Sequence, residues 1–254
     1  MKQHKANSPN HSVRTRAGKD IVCEIFIPDN YNQKLLIVCS GMPGSPSSPK
    51  KYKKLISLGY GIITFRYRGS WESGGIFLKS SPYDDLKIVI DQFSKGFVDL
   101  WTQKKLKVTY KELVVIGSSF GGPAAIFASA HPKVNRVIIS CGLVDWQATD
   151  QTDEPFDHMR RFVRDGFGMG YRIDKKGWDK LETGNFYNPV TSKLPIKTDK
   201  MMFIHALDDT IVHYDTVKKY CDARKLKLIT IKQGGHASGE YLNRSSVLKK
   251  VNLI

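Results

Sequence analysis

The sequence predicts an α/β fold, in which a mostly parallel central sheet has helices on both faces and carries a small helical cap. The first observation is that apolar, β-branched runs alternate with longer amphipathic stretches along the 254 residues. This alternation is typical of right-handed strand–helix–strand units. The second is that Leu35–Cys39 and Leu113–Ile116 are apolar almost throughout, as expected for parallel strands buried on both faces.

The two kinds of stretch define the predicted elements in chain order. We expect strands at Ile21–Ile27, Leu35–Cys39, Gly61–Phe65, Leu113–Ile116, Val137–Ser140, Met201–His205 and Leu226–Ile231. The amphipathic stretches predict helices near Lys50–Leu58, Tyr83–Thr102, Phe120–Ala130, Tyr214–Lys225 and Tyr241–Val251. Met1–Asp20 is polar and basic and lacks the apolar segment of a secretory signal, so it is predicted to be an irregular lead-in to the first strand.

The stretch from Trp146 to about Lys200 interrupts the alternation. It has no strand-like run, but it contains a candidate amphipathic helix at Phe156–Phe167 and a glycine-rich piece at Gly166–Gly170. An unstructured loop of this length is uncommon in a compact domain. We therefore predict a helical cap at 146–200, over the carboxyl ends of the strands, and a core formed by 1–145 and 201–254.

Large apolar side chains and arginines in the predicted cap allow two interpretations each. The apolar group would either form a pocket wall or anchor the cap to the sheet; its members are Phe156, Phe162, Phe167, Met169, Tyr171 and Trp178. The arginines are interpreted as part of a solvated helix face, with recognition of an anionic substrate as the alternative; they are Arg160, Arg161 and Arg164.

Composition narrows the classes of function. The formal net charge is +16, but the lysines are scattered, with no basic tail and no recognisable nucleic-acid-binding motif. This favours a solvated basic surface, with selection of an anionic partner as the alternative. The four cysteines are widely spaced, which argues against a zinc site or a disulfide framework and favours a cytoplasmic setting. No apolar run is long enough to span a bilayer.

Ser119 is the predicted nucleophile. Apolar residues Val114–Ile116 lead directly into Gly117-x-Ser119-x-Gly121, and a run of small apolar residues follows. A serine exposed by such a sharp strand-to-helix turn needs small neighbours two residues away on each side, because the strand and the helix pass close to them. Ser118 does not have this glycine spacing and is the poorer candidate.

A serine hydroxyl needs a general base, and the base needs an orienting acid. Of the seven histidines, we select His236, because it follows the last predicted strand in a glycine-rich loop. Asp209 follows the strand before it and gives the chain order serine, aspartate, histidine that this kind of site requires. Asp208 could instead cap the following turn, and Asp145 is a further candidate for the acid.

The predicted oxyanion hole consists of two backbone N–H groups. Met42 supplies one, from the loop after Leu35–Cys39, because Pro43 has no N–H to offer. Phe120 supplies the other, directly after the nucleophile. A plain Gly/Pro turn is the alternative interpretation of the Met42 loop.

Four motifs in order resemble the α/β-hydrolase superfamily over nearly the whole chain. Residues 40–44 resemble its oxyanion loop, and residues 67–75 resemble a segment of serine esterases and prolyl-oligopeptidase-like catalytic domains. Residues 117–122 resemble its nucleophile turn, and residues 205–212 resemble its H-G-x-x-D-x-x-V motif, which places the acid on Asp209. The chain departs from these patterns at Ser40, where histidine is usual, and at Ala206, where glycine is usual. The resemblance implies the α/β-hydrolase fold and a serine hydrolase. Since prolyl-oligopeptidase-like peptidases generally carry an N-terminal propeller, for which this chain has no room, a stand-alone esterase is expected.

These observations predict hydrolysis of a small carboxylic ester through an acyl-enzyme. A small serine peptidase or aminopeptidase that acts on a short peptide is one alternative, and a non-catalytic binding protein with a basic surface is another. No metal or organic cofactor is expected, and neither a specific nucleic acid nor a membrane is expected as a partner. A homodimer is compatible with the sequence.

Overall fold

The computed structural model describes residues 12–148, 155–237 and 239–254. Ten strands are formed in this part of the chain: β1 Val13–Ala17, β2 Ile21–Phe26, β3 Lys34–Cys39, β4 Gly61–Phe65, β5 Phe97–Val98, β6 Lys105–Leu106, β7 Glu112–Ser118, β8 Arg136–Ser140, β9 Met201–Ala206 and β10 Lys227–Ile231. Seven α-helices accompany them: α1 Lys53–Ser57, α2 Pro82–Lys95, α3 Gly122–Ala128, α4 Pro155–Phe167, α5 Lys175–Glu182, α6 Tyr214–Ala223 and α7 Ser245–Lys250.

Eight of the strands form one sheet in the order β1-β2-β4-β3-β7-β8-β9-β10. From β4 through β10 every neighbouring pair is parallel, whereas β1 and β2 add an antiparallel edge. Parallel neighbours end at the same edge of the sheet, so the loops after β3, β7, β8, β9 and β10 lie together. The predicted mostly parallel α/β sheet is therefore confirmed.

Both faces of the sheet are buried. Along β3, Leu35 and Ile37 belong to one hydrophobic cluster, and Leu36 and Val38 belong to the other. All four side chains are fully buried. The continuous apolar run in the sequence thus reflects a strand with helices on both sides.

The prediction of an irregular lead-in is wrong for its last part. Val13–Ala17 forms β1, which pairs antiparallel with β2 so that Thr15 lies opposite Cys23. Thr15 is buried and its hydroxyl donates to the Val98 carbonyl at 2.6 Å. This strand lies at a sheet edge, where alternate side chains face solvent, so its sequence is polar and does not show the apolar run of a buried strand. The preceding residues, 1–11, lie outside the described part.

The helix predicted for Tyr83–Thr102 is too long. It ends at Lys95, and Gly96 follows with a φ of 107°. This φ lies in a region that glycine populates readily. The chain then forms β5 and β6, whose connecting turn is held by Asp99, which accepts hydrogen bonds from Trp101 N–H and the Thr102 hydroxyl. Helical periodicity alone did not reveal this stop.

The segment between β8 and β9 is helical where it is described, with α4 and α5 as its two helices. Val163, Trp178 and Leu181 are buried in the hydrophobic cluster on this side of the sheet. Short bridges also join the segment to the loop after β4, through Ser70 with Tyr171 and Phe77 with Ile173. Within the described ranges, no helix is long and apolar enough to cross a membrane.

Candidate active site

Ser119 lies in a strained turn between β7 and α3. Its φ is 51°, in a region that a non-glycine residue adopts at an energetic cost. A Cβ on Gly121 would overlap the Cys39 carbonyl, and a Cβ on Gly117 would lie 2.5 Å from the Ala125 Cβ. Both positions therefore need glycine, because strand β3 and helix α3 pass too close for a side chain. The half-buried Ser119 is held at the carboxyl end of β7 by this packing.

Asp209 and His236 are paired beyond the ends of β9 and β10. The His236 Nδ1 atom lies 2.8 and 3.0 Å from the two carboxylate oxygens of Asp209. The N–H groups of Ile211 and Val212 donate to the Asp209 Oδ1 atom at 2.9 and 3.0 Å. The carboxylate is thus fixed by the backbone of its own loop while it holds the imidazole.

A second histidine, His205, also approaches Asp209. Its Nε2 atom lies 3.3 Å from the Asp209 Oδ2 atom and 2.7 Å from the Val212 carbonyl oxygen, and the residue is fully buried. The spacing His205-x-x-x-Asp209 was visible in the sequence as part of a motif. Its contact with the carboxylate was not foreseen.

The surroundings of Asp209 favour its ionised form. Burial raises the pKa of the carboxyl group, but hydrogen bonds from His205, His236 and the Val212 N–H outweigh this effect and hold the pKa well below its usual range. A carboxylate that stays ionised next to an imidazole can stabilise the cation that forms when the imidazole accepts a proton.

The two alternative acids have other partners. Asp208 accepts the N–H groups of Gly234 and Gly235 at 2.9 to 3.0 Å, and these hydrogen bonds lower its pKa. It therefore binds the loop that carries His236 and leaves the ring to Asp209. Asp145 accepts from the Gln147 N–H and from the Asn188 amide, both at 2.9 Å.

The turn after β8 connects Ser119 with the loop of His236. Leu143 N–H donates to the Ser119 carbonyl at 3.0 Å, and the Cys141 thiol lies 3.9 Å from the Gly235 carbonyl. These contacts bring the two loops to the same place at the sheet edge. In the described residues, however, no hydrogen bond joins the Ser119 hydroxyl to His236; such bonds are often long in ligand-free enzymes.

The loop after β3 passes directly over Ser119. A Cβ on Gly41 would lie 3.1 Å from the Ser119 Cβ, so Met42 is next to a residue in contact with the serine. The far end of the loop is clamped at Gly44, whose carbonyl accepts from Trp71 Nε1 at 2.9 Å and from the Tyr171 hydroxyl at 3.1 Å. The Gly44 N–H donates back to the same hydroxyl at 3.1 Å.

Phe120 follows Ser119 in the first turn of a short helix, where backbone N–H groups have no intrahelical acceptor. The Tyr187 hydroxyl donates to the Phe120 carbonyl at 2.8 Å and accepts the Ala124 N–H at 3.2 Å. The buried Phe120 ring also packs against Tyr67 and Trp146, among others. The backbone at Phe120 is therefore fixed from several sides.

The apolar cap residues divide into two groups. Tyr171 and Trp178 are buried, and Phe156 and Phe167 are half-buried, so this group anchors the segment between β8 and β9. Phe162 and Met169 are 53% and 78% exposed. Of the arginines, Arg160 forms ion pairs with Asp157, Asp179 and Glu182, and Arg164 pairs with Asp165.

One group of side chains around Asp209 could approach a metal ion. Ligand atoms of Cys141, His205 and Asp209 all lie within 4.8 Å of one another. However, the pKa of Cys141 is raised strongly by burial and by the neighbouring Asp209, which keeps the thiol protonated. His205 Nε2 is also engaged with a backbone carbonyl. The Asp209 carboxylate and His205 Nε2 are thus already engaged in hydrogen bonds of the site, and we assign no metal to this group.

Comparisons with known proteins agree with the predicted fold and superfamily. The model of the prolyl oligopeptidase family of peptidases matches residues 47–251. No curated protein matches the sequence. A lidless α/β serine hydrolase from Xanthomonas campestris is similar in structure, with a TM-score of 0.61 at 16% identity over 97% of this chain and 96% of that one.

Two further solved structures share the fold. An esterase from Pyrococcus furiosus gives a TM-score of 0.61 at 17% identity, over 96% of this chain and 90% of the esterase. The mouse α/β hydrolase domain-containing protein 10 gives 0.59 at 18% identity, over 95% of both chains.

Proposed function

The chain belongs to the prolyl oligopeptidase family, whose fold is that of α/β serine hydrolases, and on this premise we propose that it hydrolyses small carboxylic esters. Ser119 acts as nucleophile, His236 as general base and Asp209 as the orienting acid. The N–H groups of Met42 and Phe120 form the oxyanion hole. Hydrogen bonds of 2.8 and 3.0 Å between Asp209 and His236, at the sheet edge where Ser119 lies, carry this proposal.

In the first half of the reaction, the Ser119 oxygen attacks the ester carbonyl while His236 Nε2 accepts the hydroxyl proton. The carbonyl oxygen becomes an oxyanion and receives hydrogen bonds from the two backbone N–H groups. The tetrahedral intermediate then collapses, the ester C–O bond breaks, and the alcohol leaves with the proton from His236. An acyl group remains on Ser119.

In the second half, water attacks the acyl carbon and gives a proton to His236. The second tetrahedral intermediate releases the carboxylic acid, and the proton returns to Ser119. Asp209 remains ionised throughout and stabilises each imidazolium. This role is supported by its lowered pKa.

The described charges of residues 155–182 favour an ester over a peptide with a free amino terminus. A protein that binds a charged amine needs an unpaired carboxylate facing the site. From α4 through α5, each carboxylate already has a partner. Asp157, Asp179 and Glu182 share Arg160, Asp165 pairs with Arg164, and Asp174 caps α5. The fold likeness to an esterase supports the same choice. Family membership keeps a serine peptidase as the second candidate.

Fluorophosphonate labelling tests the nucleophile. Wild type is expected to be labelled and Ser119→Ala not, because the probe reacts only with an activated serine. Ser118→Ala is the matched control, since the buried Ser118 hydroxyl has no hydrogen-bond partner among the described residues. Labelling of Ser119→Ala at the wild-type rate would reject Ser119.

A substrate panel tests the reaction. p-Nitrophenyl esters of increasing acyl length are expected to be hydrolysed with a kcat/KM at least about tenfold above that of aminoacyl anilides, a difference of about 1.4 kcal/mol in transition-state binding. The reverse order would assign the peptidase instead.

A further inference from the structure

A strongly basic surface cavity, wide open to solvent, lies between the start of α1 and the C-terminal region. It has a volume of about 760 Å³, and its cationic side chains are Lys51, Lys53, Lys54 and Arg244. The single carboxylate in its lining is Glu240. Residues from two distant parts of the sequence therefore place four positive charges around one concave surface.

None of these four cations forms an ion pair with a carboxylate in the described part of the chain. Some cations elsewhere on the surface do pair with carboxylates: Lys133 with Asp91, Arg136 with Glu112 and Lys218 with Asp222. Four positive charges that converge with only one carboxylate among them repel one another and raise the local positive potential. A bound anion would relieve this repulsion.

The two chain segments that form the walls of the cavity are joined by specific side-chain contacts. The Asn243 side chain joins its two walls, because its amide donates to the Lys51 carbonyl at 3.1 Å and its oxygen accepts the Lys54 N–H at 3.4 Å. Arg244 lies over the fully buried Tyr241 ring, with 4.8 Å between the guanidinium carbon and the ring centre. The scaffold that carries the charges is thus held by tertiary contacts.

The lining indicates the chemistry of the ligand. Its other residues are Ser57, Glu240 and Asn243, so no exposed aromatic ring is available to stack a base and no apolar side chain to enter a lipid bilayer. Lysine and arginine are the usual ligands of phosphate groups. We propose that the cavity binds a compact anion that carries several phosphate groups.

Calorimetric titration with inositol hexakisphosphate, at about 0.15 M salt to screen distant charges, tests the proposal. Wild type is expected to bind, and the variant Lys51→Ala/Lys53→Ala/Arg244→Ala to bind at least about tenfold more weakly. The matched control, Lys104→Ala/Lys107→Ala/Lys111→Ala, removes three exposed lysines elsewhere and is expected to stay within about twofold of wild type. Equal weakening of both variants, or no binding by wild type, would overturn the proposal.

Three further measurements make the outcome specific. Lys53→Glu reverses one exposed charge and is expected to weaken binding as well, with a melting temperature like that of wild type. Vesicles with phosphatidylinositol bisphosphate that bind in addition to the free ligand would assign a lipid headgroup as the source of the phosphates. The proposal would be overturned if the protein bound a duplex RNA through Lys51, Lys53 and Arg244 and did not bind inositol hexakisphosphate. All arms read binding directly and are independent of Ser119.

Discussion

At the scale of single residues, Asp209 is the most constrained side chain of the site. It accepts hydrogen bonds from two backbone N–H groups and from His236, and it lies beside the buried His205. Its carboxylate has no solvent exposure. The same contacts that orient the imidazole therefore make the ionised form contribute to folding stability.

This contribution predicts a pH dependence. Since the folded-state pKa of Asp209 is lowered, the stabilisation is complete above the unfolded-state pKa of about 3.9 and is lost as the pH falls toward the folded-state pKa. We expect Asp209→Asn to lower the free energy of unfolding by about 2 kcal/mol at both pH 7 and pH 5. The difference from wild type should shrink below about pH 4.

Urea denaturation of both proteins at several pH values measures this difference. Asp29→Asn is a suitable control, because Asp29 is exposed and has no ion pair in the described residues, and it should show little difference at any pH. A gap between wild type and Asp209→Asn that widens as the pH falls from 5 to 3 would contradict the expectation.

At the scale of elements, the loop between β10 and α7 is held by the loop after β9. Asp208 makes this connection through the N–H groups of Gly234 and Gly235. It is a positioning residue for His236 in the proposed mechanism. We expect Asp208→Ala to lower kcat for a p-nitrophenyl ester about tenfold with KM within about twofold, because a small misplacement of the base slows proton transfer.

Asp208→Asn separates this role from a general loss of structure. The amide oxygen can still accept a hydrogen bond from one of the two glycine N–H groups, so part of the lost kcat should return. A raised KM with kcat unchanged in Asp208→Ala would instead assign the residue to substrate binding.

The second element-scale connection joins the segment between β8 and β9 to the loop after β3, which carries the proposed oxyanion donor Met42. The Tyr171 hydroxyl both donates to and accepts from the Gly44 backbone at 3.1 Å. Tyr171→Phe removes both hydrogen bonds and should lower kcat and the rate of fluorophosphonate labelling about three- to tenfold, since the Met42 N–H loses its fixed position.

Tyr60→Phe is the matched control for Tyr171→Phe. Its hydroxyl also donates to a backbone carbonyl, that of Leu253, at 2.8 Å, but it belongs to the hydrophobic cluster on the other side of the sheet. Its loss should cost about 1 kcal/mol of stability and leave kcat unchanged. Equal kinetic effects of Tyr171→Phe and Tyr60→Phe would contradict a specific role of Tyr171 in holding the loop after β3.

At the scale of the whole molecule, the dominant property is the excess of positive charge. The chain has 40 lysines and arginines against 24 carboxylates, and like charges repel one another in the compact state. Raising the salt concentration from about 0.01 to 0.15 M shortens the Debye length from about 30 to 8 Å. We expect this to add about 1 kcal/mol of stability and to raise Tm by about 2–4 °C.

Thermal unfolding followed by circular dichroism over a series of sodium chloride concentrations measures the effect. Most of the rise should occur below about 0.15 M, where screening changes most. A Tm that falls over this range would show that attractive ion pairs outweigh the net repulsion.

The sequence by itself determined that the sheet is mostly parallel, the turn at Ser119, and the chain order of Ser119, Asp209 and His236. These features depend on local patterns: buried strands read as apolar runs, and glycines at 117 and 121 mark positions where backbones nearly touch. Periodicity did not determine where α2 ends, nor that Val13–Ala17 joins the sheet. An edge strand and a short hairpin have weak apolar patterns, so only pairing with a distant strand defines them.

The tertiary structure alone decided which groups act on the site residues. Asp208 and Asp209 are neighbours with the same chemistry, but one reaches Gly234 and the other the His236 ring. Tyr171 holds Gly44 across 127 residues of sequence, and Lys51 shares a cavity with Arg244. Hydrogen bonds and charge clusters of this kind depend on the meeting of distant segments, which no local pattern in the sequence encodes.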